Sequence, residues 1–296
     1  MDDMPASMET LVRRLGGLND IADRYQLVLC DVWGVIHNGV SVFGGALDAL
    51  RAFRANGKRR VILLTNAPRP DWWVKNQLNE LGVGDDAYDA IVTSGDVTRQ
   101  DIIKSGARKV FALGPAKDRN FYDGLPIELV HPDAAEVISI TGLVDDETET
   151  PDDYTGMLED FLKRDLDVIC ANPDLVVERG DKLIYCGGAL AQKYREMGGK
   201  AHYCGKPHAP IYERALAVGS ELLQRPIDRR AVLAIGDGIA TDVKGANDAG
   251  LDCLFVTGGI HSAESGPLSD ATEQTVTRFL QHQNQKAEAF MPRLVW

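Results

Sequence analysis

The chain has 296 residues, room for one large or two medium domains, with 44% of them hydrophobic and 26% charged, the balance of a globular protein with a buried core. With 44 acidic against 32 basic residues the net charge is −12 and no basic block exceeds "GKRR" at 57–60, which disfavours nucleic acid as a partner. No apolar run approaches the roughly 20 residues of a membrane span, and the acidic N-terminus lacks an apolar segment, so no membrane partner, no secretory leader and a cytoplasmic protein are expected.

Five cysteines (Cys30, Cys170, Cys186, Cys204 and Cys253) are scattered, odd in number and set mostly in apolar runs without a C-x-x-C pair. They read as small core residues, not as a disulfide or metal framework.

The first strand candidate is "LVLCDV" at 27–32, an apolar run that ends on Asp31. A helical pattern, "GGALDALRAFRANGK", follows at 44–58, then a strand, "RVILLTN", at 60–66, and a helix expected to start near Asp71. Trp72 and Trp73 open that helix as core anchors or as part of a surface facing a second module. Further strand candidates are "AIVTSG" (90–95), "KVFALG" (109–114), "EVISITG" (136–142), "DVICANP" (167–173) and "KLIYCGG" (182–188). The acidic stretch "VDDETETPDD" at 144–153 reads as a solvated loop. After a short run, "AHYCGK", comes "APIYERALAVGSELL" at 209–223, a helix with Ile211, Ala215, Val218 and Leu222 on one face. Two more strands, "AVLAIGDG" (231–238) and "DCLFVTGG" (252–259), precede a tail in which "TRFLQHQNQKAEAF" (277–290) is expected to be helical. The final "MPRLVW" would carry exposed apolar residues, docked or frayed.

Several of these strands are apolar without alternation, as strands covered on both faces must be. Strand–helix alternation therefore predicts an α/β fold, a doubly wound parallel sheet. Such sheets bind ligands beyond the carboxyl ends of their strands, where Asp31, Thr65, Asn66, Asp237 and, after a short run, Lys206 fall.

Taken singly, each has an ordinary reading. Asp31, followed by Gly34 in a tight turn, is a cap or an exposed nucleophile. Thr65 and Asn66 are a helix cap or donors to an anion. Lys206 is a solvated loop lysine or the point charge a phosphoryl group needs. Asp237 and Asp242, five residues apart, are surface acids or oxygen ligands of the kind Mg²⁺ takes.

Their order removes part of that ambiguity. "DVWGVIHNG" (31–39), "LLTNAPRP" (63–70), "GKPHAPIY" (205–212) and "GDGIATDVKGANDAG" (236–250) resemble, in sequence order, the four motifs of the haloacid dehalogenase superfamily. The long insert, with "ITGLVDD" and "ANPD", resembles the cap of its class IIA, the NagD-like sugar and nucleotide phosphatases. The resemblance spans about residues 24–260. It implies a discontinuous core domain, 1–96 and 201–296, of Rossmann-like α/β type, with an α/β cap domain at 97–200. It further implies Mg²⁺-dependent phosphoryl transfer from a small phosphorylated substrate. Asp31 would be the nucleophile; Asp31, Asp237 and the backbone carbonyl of Trp33 would hold the metal, and Asp242 would steady the metal or the lysine. Thr65, Asn66 and Lys206 would hold the phosphoryl oxygens.

Members of the superfamily that hydrolyse esters usually carry a second aspartate two residues after the nucleophile, as general acid and base. Trp33 stands there, and an indole N–H cannot do that work. Loss of such a group slows a reaction by about 10²–10⁴-fold. A substrate with a good leaving group, a surrogate such as His37 or His208, or binding without turnover are the three ways to accommodate Trp33. The expectation is a phosphatase acting on a sugar phosphate or nucleotide monophosphate, and the alternative is a weakly active or non-catalytic phosphometabolite-binding protein. A homo-oligomer is compatible with either. A dinucleotide-dependent oxidoreductase is disfavoured, because no G-x-G-x-x-G follows the first strand.

Overall fold

The computed structural model describes residues 11–179, 182–259 and 272–296. Residues 1–10, where no leader is expected, lie outside it. The strands in chain order are β1 (Arg13–Arg14), β2 (Leu27–Asp31), β3 (Arg60–Thr65), β4 (Ala90–Thr93), β5 (Lys109–Leu113), β6 (Glu128–Leu129) and β7 (Val137–Ile140). They continue with β8 (Asp167–Cys170), β9 (Val176–Arg179), β10 (Lys182–Tyr185), β11 (Ala201–Tyr203), β12 (Val232–Gly236), β13 (Asp252–Val256) and β14 (Ala289–Met291). One sheet has the order β1-β14-β13-β12-β2-β3-β4 and a second the order β11-β8-β7-β5-β6, while β9 and β10 pair as a separate hairpin. All pairs in the two larger sheets are parallel, and the hairpin is antiparallel. Each of the nine apolar runs read from the sequence contains a strand.

The lack of alternation in those runs has its cause in two cores. Leu27, Leu29, Ile62, Leu64, Val232 and Ala234 face one apolar cluster. Their neighbours Val28, Cys30, Val61, Leu63, Leu233 and Ile235 face another. The first cluster runs on without a break into Val110, Val137 and Ile169 of the second sheet, through Phe121 and Tyr122. The far face of that sheet has its own core, Ile138, Ile140, Val168 and Cys170 against Phe161, Leu190 and Tyr194. All five cysteines are free and buried.

The helices are α1 (Gly44–Arg54), α2 (Asp71–Glu80), α3 (Ser94–Ser105), α4 (Thr155–Lys163), α5 (Gly187–Glu196), α6 (Ala209–Leu223), α7 (Lys244–Asp248) and α8 (Glu273–His282). In α6 the predicted stripe is the packed one: Ile211 and Ala215 are buried, with Val218 and Leu222 at the cluster's margin. α1 stops four residues short of the predicted end, because Gly57 takes φ +69° and turns the chain into β3. Of the tryptophan pair, Trp72 is 52% exposed, while Trp73 packs at a core margin under the Arg69 guanidinium, 4.8 Å from the ring centroid. Arg69 pairs at 2.5 Å with Asp118, which precedes the second sheet's buried Phe121 and Tyr122, so Trp73 and not Trp72 faces that module. No helix among the described residues is long and apolar enough to cross a membrane.

The tail corrects the sequence reading. Instead of one helix over 277–290, α8 ends at His282, Asn284 takes φ +53°, and the chain returns as β14 between β13 and β1. Phe290, Met291 and Leu294 are buried, so the last residues are docked, with Val295 accepting a hydrogen bond from the Leu18 N–H at 2.8 Å. Tertiary pairing overrides helical propensity here. Phe290→Ala is therefore expected to lose about 3–5 kcal/mol in urea unfolding, as a core phenylalanine does and a frayed end would not.

Candidate active site

Three adjacent strands of the larger sheet, β12, β2 and β3, end side by side and deliver Asp237, Asp31 and Thr65 to one edge. Asp31 is the last residue of β2, and Asp237 follows Gly236, the last of β12. Asp242 arrives on a π-helical turn, Ile239–Val243, whose close approach to the strand end needs Gly236, since a Cβ there would lie 2.2 Å from the Asp242 Cβ. Gly34 does what the tight turn predicted, at φ +90°, and also leaves room for Asp237: a Cβ on Gly34 would lie 2.1 Å from Asp237 Oδ2.

Lys206 comes to the same point from the second sheet, three residues after β11 ends. It is 3% exposed, and its ammonium donates to Asp31 Oδ1 at 2.5 Å and to Asp242 Oδ1 at 2.7 Å. Burial alone would pull this lysine down, but Asp242 and Asp31 outweigh it and hold it well above the ordinary value. Burial pushes the Asp31 carboxyl well up, and Asp242 adds to that against Lys206. Asp242 Oδ2 takes the Gly238 N–H at 3.0 Å.

One oxygen from each of Asp31, Asp237 and Asp242 lies within 4.8 Å of the others, all three buried. Three hard oxygen donors against a single lysine leave negative charge in excess, and no histidine or thiolate among the described residues joins them. That donor set fits a hard divalent cation such as Mg²⁺ and does not suit Zn²⁺.

Thr65 accepts the Ala67 N–H at 3.2 Å, which leaves its hydroxyl proton to donate. Asn66, expected with Thr65 and Lys206 to hold the phosphoryl oxygens, has its side chain engaged by the loop that carries Lys206. Its Oδ1 takes the Lys206 N–H at 2.7 Å, and its Nδ2 donates to the Lys206 carbonyl at 3.0 Å and to Asp174 Oδ1 at 2.8 Å. The amide is committed to clamping the lysine's backbone, and Gly205 permits this, since a Cβ there would meet Asn66 Oδ1 at 2.4 Å. Asn66→Ala is expected to cost about 2–3 kcal/mol in urea unfolding, because it strands two buried backbone groups, and to lower turnover by displacing Lys206.

The two histidines part company. His37 is buried and lines the same cleft as Asp31. Its Nδ1 accepts the Gly39 N–H at 2.9 Å, so the proton of the neutral ring sits on Nε2, and burial lowers its pKa. A neutral ring held this way offers a hydrogen-bond donor and no readily lost proton. His208 precedes α6 with its ring stacked on Tyr203, centroids 4.7 Å apart, beside a different concavity. The structure does not bring it to Asp31's cleft.

That cleft, about 470 Å³, is lined at one end by Asp31, Thr65, Asn66, Lys206 and Asp242. Trp33, Gln77, Asn172, Asp174 and the hairpin residues Val176, Val177 and Leu183 also line it. Asn172, Asp174 and the hairpin were missed as site residues in the sequence. The signal was present: "ANPD" comes after the buried strand β8 just as the other polar groups come after theirs.

The geometry defines a parallel α/β protein with a carboxylate-and-lysine site at its strand ends. A haloacid dehalogenase-like hydrolase model matches residues 28–128, and a HAD-hydrolase-like model residues 203–281. A solved haloacid dehalogenase-like hydrolase from Brucella suis 1330 is 45% identical over 96% of this chain and 100% of that one, with a TM-score of 0.82. The chain belongs to the haloacid dehalogenase-like hydrolase family. Its relatives are of the NagD-like kind. A D-glycerol 3-phosphate phosphatase of Mycobacterium tuberculosis is 27% identical over 94% of this chain and 77% of that protein. A glycerol phosphate phosphatase of that organism has been solved with magnesium, at TM-score 0.64 and 24% identity over 85% of this chain and 73% of that one. The ribonucleotide monophosphatase NagD of Escherichia coli is 28% identical over 80% of this chain and 89% of that protein.

Proposed function

We propose that this protein is a Mg²⁺-dependent phosphatase that hydrolyses a small phosphorylated metabolite through an aspartyl-phosphate on Asp31, with sugar phosphates and nucleotide monophosphates as the broad substrate class. The observation that carries the reading is the meeting of Asp31, Asp237 and Asp242 within 4.8 Å, beside the buried ammonium of Lys206. Phosphatases among the relatives support it.

Asp31, Asp237 and Asp242, with the backbone carbonyl of Trp33, would hold Mg²⁺. When bound, the ion supplies positive charge between the carboxylates and the phosphoryl oxygens. An Asp31 oxygen forms a bond to phosphorus as the ester P–O bond breaks, and the leaving oxygen takes a proton from a water molecule. Water then attacks the acyl-phosphate, releasing inorganic phosphate and restoring Asp31. Lys206 and the Thr65 hydroxyl place positive charge and a donor where the equatorial oxygens gather negative charge, which a loose phosphoryl transition state needs more than covalent help. The second sheet and its hairpin act as the cap, bringing Asn172, Asp174 and the valines over the cleft and excluding water.

A second reading, a weakly active or non-catalytic phosphometabolite-binding protein, is favoured by one observation: Trp33 and a neutral His37 stand beside Asp31 where proton transfer to the leaving group is needed. Purified protein with Mg²⁺ and p-nitrophenyl phosphate decides between them. Release of nitrophenolate supports the phosphatase. No release, with phosphate still bound, supports the binder.

A further inference from the structure

Trp33 is an exposed aromatic surface in a buried setting. Its side chain, 37% accessible, lines both the 470 Å³ cleft and a neighbouring cavity of about 320 Å³, which Gln77, Asn172 and Val177 also share. The indole is propped from beneath. The His37 ring meets it edge to face, with centroids 5.2 Å apart and planes at 75°. Gly39, at φ +88°, passes so close that a Cβ there would lie 2.5 Å from Trp33 Cη2. His37 is in turn fixed by the Gly39 N–H. A mobile surface tryptophan needs none of these supports.

The rest of the lining says what such a platform receives. Val176, Val177 and Leu183 of the hairpin are apolar, and Leu183 is 67% exposed. Lys206 is the single cation among the described residues that line the cleft, and Asp31 and Asp242 already hold it. Away from the phosphate end the charged group is Asp174. Around the indole the cleft sets these apolar side chains beside Gln77 and Asn172, and the neighbouring cavity adds Arg69 and Lys117. A planar, uncharged ring would stack on the indole, a contact aromatic groups favour over aliphatic ones of equal size.

We infer that Trp33 is the specificity-determining residue of this site, a fixed stacking platform that selects phosphomonoesters whose organic part presents a planar aromatic face, with His37 and Gly39 as its positioning residues. The inference rests on the phosphatase reading above. The aromatic face is an aryl ring near the ester oxygen or a nucleobase farther out.

Benzyl phosphate and cyclohexylmethyl phosphate test it, since both are primary alkyl esters of similar size and differ in planarity. With Mg²⁺, the wild type is expected to favour the benzyl ester in kcat/KM by about three- to tenfold, the yield of one aromatic pair. Trp33→Phe should keep most of that ratio. Trp33→Leu and Gly39→Ala should bring it near one, the latter without altering the indole's chemistry. Uridine 5′-monophosphate against ribose 5-phosphate repeats the comparison: the same loss in Trp33→Leu assigns a nucleobase to the platform, and loss in the benzyl pair alone assigns an aryl ring. A wild-type ratio near one in both pairs, or a ratio that Trp33→Leu leaves intact, overturns the inference. Binding of benzylphosphonate against cyclohexylmethylphosphonate by Mg²⁺-loaded Asp31→Asn protein, read by calorimetry, needs no turnover. If no ester releases phosphate, the phosphatase reading fails, and the same Trp33-dependent ratio in binding still decides this one.

Discussion

Asp31→Asn is expected to lower p-nitrophenyl phosphate hydrolysis by about 10⁴-fold or more, because it removes the atom that would form the new bond to phosphorus. The same variant should melt higher than wild type without metal. Burial and Asp242 hold the Asp31 carboxyl well above its unfolded value, with Lys206 opposing. A carboxyl that binds its proton more tightly when folded opposes folding once it is ionised, and this penalty grows as pH rises through the folded value. An amide of the same shape carries no such penalty, so a rise in Tm at neutral pH is expected in EDTA, each kcal/mol being worth about 1.6 °C in a chain of 296 residues. Saturating Mg²⁺ should shrink or reverse the difference, since the variant offers one anionic ligand fewer. Melting with and without Mg²⁺, alongside nitrophenolate release, checks both halves. Wild-type turnover in the variant would end the nucleophile assignment.

Lys206→Met should do the opposite to stability and the same to activity. The ammonium bridges two buried carboxylates at 2.5 and 2.7 Å, and removing it leaves them uncompensated with Asp237 nearby. Breaking a buried pair from one side costs about 3–5 kcal/mol, far more than a surface lysine would. Turnover should fall by about 10²–10³-fold, the usual effect of losing one group that stabilises transition-state charge. Mg²⁺ should restore more stability to this variant than to wild type, as it becomes the remaining positive charge among the carboxylates. Urea unfolding across a Mg²⁺ series measures that. Equal unfolding midpoints for variant and wild type would mean that Lys206 is not held as described.

The larger sheet was legible in the sequence because its central strands are apolar throughout, and the two cores against Leu27/Leu29 and Val28/Cys30 are the cause. β14 was not legible. "AFM" is three residues long and comes after a helical pattern without a turn signal such as glycine or proline, and it becomes a strand because β13 and β1 present open edges to it. The candidate site divides in the same way. Asp31, Thr65, Lys206 and Asp237 were nameable from their positions at or just past the ends of apolar runs, and Asp242 from its spacing of five residues after Asp237. Asn66's commitment to the lysine backbone and Asp174's place in the cleft depend on groups more than a hundred positions apart, which no local pattern encodes.

Residue order alone determined which side chains stand at strand ends, because hydrophobic period and turn chemistry are local properties that a chain carries before it folds. Only tertiary packing decided that these ends adjoin and that one ammonium lies between two carboxylates. Each of those requires distant segments to meet within a few ångströms, and it is burial, removing water from between them, that turns proximity into electrostatics strong enough to do chemistry.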